Sequence, residues 1–260
     1  MKELSKTPLI PKKIHYCWYG PNKKSQRIQD CIKSWEKILK GYEIICWDEG
    51  NTPFKEIPVL RRLYNQEKWS FLSDYMRLYV LYHFGGIYFD TDIEVIKNFD
   101  TLLDSKGFIG FQLDPKISKT FIGAGVIGAE KKNSTIEELL KLTETKQRLT
   151  LKPVGGPFSI TPYFINKGVN SHEVQAIDGF HLYTKDYFYP FYMDEIYTSD
   201  CLTRNTYCLH YWDGEWQKKG KNYHINKIKF RIQSIPWIIK NYFLFYFQRH
   251  NFFHYVKLYS

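Results

Sequence analysis

Two aspartates separated by a single residue, Asp90 and Asp92, follow directly after a short apolar run at 87–89. In an extended chain residues i and i+2 point to the same side, so we expect both carboxylates to face one point. Two aligned carboxylates are suitable ligands for a hard divalent cation. Because an isolated Asp-x-Asp is common by chance in loops, this interpretation depends on the residues around it.

The segment before these aspartates is predicted to place two more charged side chains beside them. Apolar residues recur at helical spacing over 71–84, and Gly85 and Gly86 supply the stop signal of a helix. Asp74 and Arg77 lie three residues apart, so they share one helix face and can form a charge pair. An isolated pair of this kind is usually a surface feature. Here the glycines and the following strand predict that the pair is aimed at the metal site.

Strands and helices alternate along the chain. This order predicts an α/β domain with a mostly parallel sheet flanked by helices. An opening strand of such a sheet ends at the ligand crevice, which places Trp18 there, although a core tryptophan is the alternative. The predicted strands cover 14–18, 42–47, 87–89, 108–112 and 122–129, and the predicted helices cover 25–39, 57–66, 71–84 and 133–142.

The net charge of +10 is concentrated at one end of the chain. Nine of the 37 Lys and Arg residues lie between Trp216 and Ser260, where there is no Asp or Glu, and the other residues carry 28 basic against 27 acidic side chains. We therefore predict a neutral domain over 1–216 and a basic, helical tail over 217–260.

The same tail is rich in aromatic residues, with thirteen Phe, Trp and Tyr from Trp216 onward. A basic, aromatic, acid-free segment is typical of a helix that lies on an anionic membrane surface. Lys240 and Arg249 interrupt its apolar run before the ~20 residues that a spanning helix needs. The alternatives are that the segment packs on the domain, or that it binds nucleic acid, which we reject as a partner.

Cysteine usage and the N-terminus bear on the compartment. The five cysteines are odd in number and lack a close paired spacing, which is typical of reduced thiols. The first eight residues lack the apolar region of a secretion signal. We therefore expect a cytoplasmic protein.

The central string resembles a known family. Ser73-Asp74, Arg77, Gly85-Gly86-Ile-Tyr and Asp90-Thr-Asp92 are similar to the central motif of glycosyltransferase family 32 and of the clostridial glucosylating toxins. The opening Ile-Pro-x-x-Ile-His-x-x-Trp-x-Gly resembles the first motif of the same enzymes. The resemblance implies the GT-A fold, a nucleotide-sugar donor and Mn²⁺, or Mg²⁺, as cofactor.

The resemblance also implies roles for the charged residues. Asp90 and Asp92 would hold the metal, and His210 would complete its ligands, although Asp213 or Glu215 could serve instead. Asp74 and Arg77 would hold the sugar hydroxyls, and Asp90 would also touch the ribose or sugar.

Further residues are implied in donor binding. Trp18 would stack on the base and Tyr88 would pack near the base or ribose. Gly155 and Gly156 belong to a Gly-Pro segment that lines the donor pocket, and Trp216 would close over the diphosphate.

The expected activity is therefore a metal-dependent, retaining hexosyl transfer. We expect UDP-hexose as donor, with GDP-mannose second, and a lipid-linked saccharide as acceptor in bacterial capsule or other surface polysaccharide biosynthesis. The tail would hold the enzyme peripherally on the inner face of the cell membrane. Three alternatives remain: a nucleotide-sugar hydrolase, a toxin-like protein glycosyltransferase, and a non-catalytic surface-binding protein.

Overall fold

The computed structural model describes residues 7–112, 121–150, 156–192, 195 and 197–213, with the backbone alone for 146–150. The predicted tail over 217–260, and with it the predicted boundary after residue 216, lies outside the described residues. Both stay predictions.

Nine strands and six helices make up the described part of the chain. The strands are β1 (Lys13–Cys17), β2 (Glu43–Trp47), β3 (Gly86–Phe89), β4 (Ile93–Val95), β5 (Gly107–Phe111), β6 (Ile122–Ala129), β7 (Gln175–Ile177), β8 (Phe180–Tyr183) and β9 (Cys208–His210). The helices are α1 (Gln26–Ile38), α2 (Pro58–Asn65), α3 (Trp69–Phe84), α4 (Ser134–Thr150), α5 (Pro157–Asn166) and α6 (Lys185–Phe188).

Local signals set the ends of the two helices that matter most for the site. Ser25 is the N-cap of α1, and its hydroxyl accepts from the N–H of Ile28. Helix α3 ends at Gly85, whose φ of 65° is a conformation that glycine adopts without strain.

Helix α4 is longer than predicted, since it continues from 142 to Thr150.

Seven strands form one mixed sheet in the order β2-β1-β3-β6-β5-β8-β7. Strands β2, β1, β3, β5 and β8 run in one direction, and β6 and β7 run against them. The predicted, mostly parallel sheet is confirmed in this sense. Because β1, β2 and β3 are parallel, their carboxyl ends meet at one edge, where Trp18 and Asp90 follow them.

Both faces of the sheet are covered by apolar side chains. One core cluster joins the sheet to α2, α3, α4 and α5, and includes Leu72, Met76, Ile127 and Phe164. The other lies on the side of α1 and α6, and includes Trp35, Phe89, Phe99 and Phe188. Successive residues of β3 therefore alternate between the two clusters, with Tyr88 in the first and Ile87 and Phe89 in the second.

A second, two-stranded sheet forms next to the end of β3. Strands β4 and β9 pair antiparallel and place Ile93 opposite His210. This pairing brings the region around residue 210 to the Asp-x-Asp segment.

The five cysteines are free thiols. No helix within the described ranges has the length and apolar character to cross a membrane.

Candidate active site

Helix α3 and strand β3 bring three charged side chains together. Nη2 of Arg77 lies 2.8 Å from Oδ1 of Asp74, one turn earlier on the same helix. The same nitrogen lies 3.2 Å from Oδ1 of Asp90, directly after β3. The guanidinium thus joins the helix to the Asp-x-Asp segment.

Further contacts fix Arg77 in this position. Nη1 donates to the carbonyl oxygen of Ala124 on β6, and the guanidinium lies over the ring of Tyr88, 4.8 Å from its centroid. Arg77 is only 5% exposed. A buried guanidinium with acceptors on both of its terminal nitrogens is a rigid support for the two carboxylates.

Two carboxylates share this one positive charge. Burial and the neighbouring Asp90 raise the pKa of Asp74 and Arg77 lowers it, with a net value of about 6. For Arg77 itself burial lowers the pKa, but the two carboxylates outweigh it and the net shift is upward. The cluster therefore carries an excess of negative charge.

The chain turns between the two aspartates, which corrects the expectation that Asp90 and Asp92 lie in one extended strand. Residues 91–92 form a turn, and the N–H of Ile93 donates to the carbonyl oxygen of Asp90. The carboxylates consequently have different partners, with Asp90 on Arg77 and Asp92 on His210.

Asp92 is bound by the last residue of β9 and by the segment that follows it. Nε2 of His210 lies 3.1 Å from Oδ1 of Asp92, and the N–H of Asp213 donates to Oδ2 at 2.8 Å. Burial raises the pKa of Asp92, but the imidazole and this N–H outweigh it, so its pKa lies below the usual value. Burial lowers the pKa of His210, but Asp92 outweighs it and the net shift is upward. Each partner therefore shifts the pKa of the other in the direction that favours an ion pair.

Aromatic rings enclose His210 on two sides. The ring centroid of Trp212 lies 3.9 Å away and that of Tyr189 lies 5.7 Å away. Nδ1 of His210 is buried and has no hydrogen-bond partner. The sequence prediction missed both aromatic residues, although the position of Trp212, two residues after a candidate metal ligand, was a usable signal.

Gly125 on β6 leaves the space that Asp90 and His210 face. A Cβ atom at this position would lie 2.9 Å from Oδ2 of Asp90 and 3.4 Å from Cε1 of His210.

The residues present fit a divalent cation by their chemistry. Carboxylate oxygens and an imidazole nitrogen are ligands that Mn²⁺ accepts, and oxygen ligands suit Mg²⁺. The open space at Gly125 and the unpartnered Nδ1 of His210 agree with this. No group of three or more His, Cys, Asp or Glu side chains is arranged around one point in the described part of the chain. Asp90, Asp92 and His210 are therefore candidate ligands rather than an assembled metal site.

The predicted donor-binding residues are placed at different depths. Trp18 follows β1 at the site's edge of the sheet and is partly buried, with its Nε1–H donating to the carbonyl oxygen of Asn22. Tyr88 is only 2% exposed, and its ring packs against the guanidinium of Arg77. The ring is therefore not open to a base or ribose. That position corrects the expectation for Tyr88.

Gly156 lies next to Asp74 at the start of α5. Its φ is 57°, and a Cβ atom there would be 3.1 Å from Oδ1 of Asp74. A side chain at this position would thus strain the backbone and crowd the carboxylate. Gly155, Glu215 and Trp216 lie outside the described residues, and their predicted roles stay predictions.

Comparison with known proteins agrees with this geometry. Residues 25–109 match the model of a family described as a glycosyltransferase sugar-binding region containing a DXD motif. This segment includes Asp74, Arg77, Asp90 and Asp92.

Two characterised relatives share part of the chain. Inositol phosphoceramide mannosyltransferase 1 of Schizosaccharomyces pombe is 32% identical over 111 residues, which cover 38% of this chain and 33% of the relative. Subversion of eukaryotic traffic protein A of Legionella pneumophila is 28% identical over 163 residues, which cover 52% of this chain and 25% of the relative. The chain thus spans a third or less of the length of these relatives.

A solved structure shows the fold. The PaToxG glycosyltransferase superimposes with a TM-score of 0.51 at 22% identity, covering 61% of this chain and 70% of that one. The predicted α/β fold of the GT-A type is thereby confirmed. Within that fold, residues 25–109 are similar to glycosyltransferase sugar-binding regions that contain a DXD motif.

Proposed function

We propose that the chain is a metal-dependent glycosyltransferase that moves a hexose from a nucleotide-sugar to a saccharide acceptor. The observation that carries this proposal is the contact of Arg77 with both Asp74 and Asp90 inside the segment that matches the family model. This contact joins a helix-borne carboxylate to the Asp-x-Asp segment at the edge of the sheet where ligands bind in α/β folds.

The charged residues have different proposed roles. Asp90, Asp92 and His210 are the proposed ligands of Mn²⁺ or Mg²⁺. When bound, the cation supplies charge neutralisation for the departing diphosphate. Asp74 accepts hydrogen bonds from sugar hydroxyls, because a carboxyl with a pKa of about 6 is mostly ionised at neutral pH. Arg77 orients Asp74 and Asp90.

The donor is proposed to be a UDP-hexose, with GDP-mannose second. Trp18 offers an aromatic face for the base, since stacking on such a face is worth roughly 1–3 kcal/mol per base. The name of the S. pombe relative describes a mannosyltransferase, which supports mannose as the second candidate. We propose retention of configuration on the family resemblance alone.

A lipid-linked saccharide is the proposed acceptor. The same relative is named for inositol phosphoceramide, a lipid, and the aromatic, basic composition of 217–260 suits a membrane surface. On this proposal the enzyme acts in surface polysaccharide biosynthesis, in the cytoplasm at the inner face of the membrane.

A protein acceptor is the second candidate. The Legionella relative is named for subversion of eukaryotic traffic, and it matches 163 residues of alignment. A toxin-like transferase would use the same donor site but glycosylate a protein.

Thermal unfolding with nucleotide-sugars tests the donor site. The full chain, Asp92→Ala and the control Asp30→Asn, an exposed acid on α1, are each heated with UDP-hexoses or GDP-mannose, with and without Mn²⁺. A ligand at 100 times its Kd adds about 2.7 kcal/mol of stability. We expect a Mn²⁺-dependent rise in Tm for one donor in wild type and Asp30→Asn, and none in Asp92→Ala. No rise with any donor would contradict the proposal.

Product analysis separates the alternatives. With the stabilising donor, a transferase forms product with a lipid-linked saccharide and releases free sugar slowly without it. Release of free sugar at the full rate without acceptor would identify a hydrolase, and labelling of host protein but no lipid would identify the toxin-like enzyme.

A further inference from the structure

Residues 210–213, here called the strap, wrap around Asp92. Nε2 of His210 contacts Oδ1 of Asp92, and the N–H groups of Tyr211 and Asp213 donate to its carbonyl oxygen at 3.1 Å and to Oδ2 at 2.8 Å. Both oxygens of the carboxylate therefore take their partners from the strap. The position of His210 depends on how the strap is held.

The strap contains a strained residue. Trp212 has a φ of 57°, in the left-handed region that residues with a side chain rarely adopt. Such a conformation persists only where surrounding contacts impose it. Nε1–H of Trp212 donates to the carbonyl oxygen of Phe191 at 3.1 Å, which holds the middle of the strap.

Arg27 on α1 contacts the C-terminal end of the strap. Its Nε lies 3.1 Å from Oδ2 of Asp213, and its guanidinium lies over the ring of Tyr211 at 4.7 Å from the centroid. The hydroxyl of Tyr211 in turn donates to Glu94 on β4. Arg27 thus contacts two of the four strap residues from α1, a helix that carries none of the candidate metal ligands.

The charges explain why this contact matters. The backbone N–H of Asp213 donates to Oδ2 of Asp92, so a third carboxylate belongs to a residue that touches a candidate metal ligand. Arg27 draws the Asp213 carboxylate to itself. Without Arg27, the Asp213 carboxylate would move relative to Asp92 or compete with His210 for the metal ion.

We propose that Arg27 is a positioning residue that keeps His210, and not Asp213, in place beside Asp92 for metal binding. The inference rests on the proposed function only through the metal site. It assigns Arg27 no contact with donor, acceptor or metal. Its effect passes through Asp213 and the strap.

Mn²⁺ binding to the full chain without nucleotide tests this role, with free Mn²⁺ measured by electron paramagnetic resonance. Outer partners of metal ligands typically change metal affinity by at least tenfold, and exposed ion pairs contribute less, so we expect Arg27→Ala to weaken Mn²⁺ binding roughly fivefold. Arg27→Lys, which keeps the charge, should lose less. Lys33→Ala, an exposed cation on the same helix, is the control and should bind as wild type.

A double-mutant cycle distinguishes positioning from a general effect on the fold. Asp213→Asn removes the charge that Arg27 offsets, so Arg27→Ala should cost much less affinity in that background than in wild type. Equal losses in both backgrounds would overturn the inference, as would equal loss in Lys33→Ala. If Arg27→Ala does not fold, the Mn²⁺ affinities of Arg27→Lys and Asp213→Asn are compared with that of wild type instead.

Two outcomes separate this inference from the proposed function. If Arg27→Ala binds Mn²⁺ as wild type while Asp92→Ala does not bind it, the role of Arg27 is overturned and the metal site stands. If wild type itself does not bind Mn²⁺, the metal site fails and the role of Arg27 fails with it.

Discussion

Nη2 of Arg77 lies 3.2 Å from Oδ1 of Asp90, and this contact joins the middle of helix α3 to the end of strand β3. The guanidinium also binds Asp74, so two carboxylates depend on one buried cation. Substitution of the cation or of a carboxylate should therefore change both the stability of the fold and the binding of donor, and the two effects can be measured separately.

Arg77→Ala should strongly destabilise the fold. Breaking a buried ion pair by removing one partner costs about 3–5 kcal/mol, because the remaining charge is left uncompensated. Here two carboxylates and the carbonyl of Ala124 would lose their partner. Urea unfolding of the variant measures the loss. Arg204→Ala, at an exposed arginine, should stay within about 0.5 kcal/mol of wild type. A similar, small loss in both variants would contradict the assigned role of Arg77.

Asp74→Asn should change how stability depends on pH. The pKa of Asp74 is about 6 in the folded protein, above the ordinary value of 3.8, so the folded state binds more protons between these values. Stability therefore falls as pH rises through this window. Asp74→Asn lacks this loss and should gain up to about 3 kcal/mol relative to wild type between about pH 4 and pH 7.

Urea unfolding across this pH range measures that difference. Asp30→Asn is the control, since Asp30 is exposed on α1. Parallel profiles for wild type and Asp74→Asn would show that the carboxyl titrates normally. Donor binding should weaken in Asp74→Asn even where the fold is more stable, because the variant lacks the ionised acceptor.

Gly125→Ala tests the space between Asp90 and His210. Its Cβ would lie 2.9 Å from Oδ2 of Asp90, closer than carbon and oxygen approach without a shift. We expect a modest stability loss of about 1–3 kcal/mol from overpacking. Transfer should fall about 100-fold, because small displacements of catalytic groups have effects of this size.

The comparison of activity with unfolding decides this prediction. Gly50→Ala, in an exposed turn, should alter neither quantity. Activity near the wild-type rate in Gly125→Ala would show that the space is not used by donor or metal.

Local sequence signals were sufficient for the helix that carries the site. The helical spacing over 71–84, the spacing of Asp74 and Arg77 and the glycine at 85 each act within one or two turns, so their structural meaning can be read from neighbouring residues. The predicted bounds of α1 and α3 consequently differ from the observed ones by one or two residues.

The partners of Asp92 could not be read in the same way. They depend on the pairing of two three-residue strands, in which Ile93 lies opposite His210 although they are far apart in the chain. Strands this short have no clear pattern of their own. The turn at 91–92 was missed for the same reason, since the Asp-x-Asp spacing alone suits both an extended chain and a turn.

His15 should make the protein less stable as pH falls. It is fully buried between β2 and the end of α3, where Nδ1 accepts from Nε1–H of Trp47 at 3.1 Å and Nε2–H donates to the carbonyl oxygen of Gly85 at 2.8 Å. Burial lowers its pKa from 6.5 to about 4, because the charged imidazole would lose its hydration. Between these values the unfolded state binds more protons than the folded state. The contribution of His15 to stability is thus complete above about pH 6.5 and is lost as pH falls towards 4, with a total of about 3 kcal/mol. Urea unfolding of wild type, His15→Gln and the control His181→Gln over this range measures it. The decline should be smaller in His15→Gln alone, and equal declines in all three proteins would show that His15 does not remain neutral in the fold.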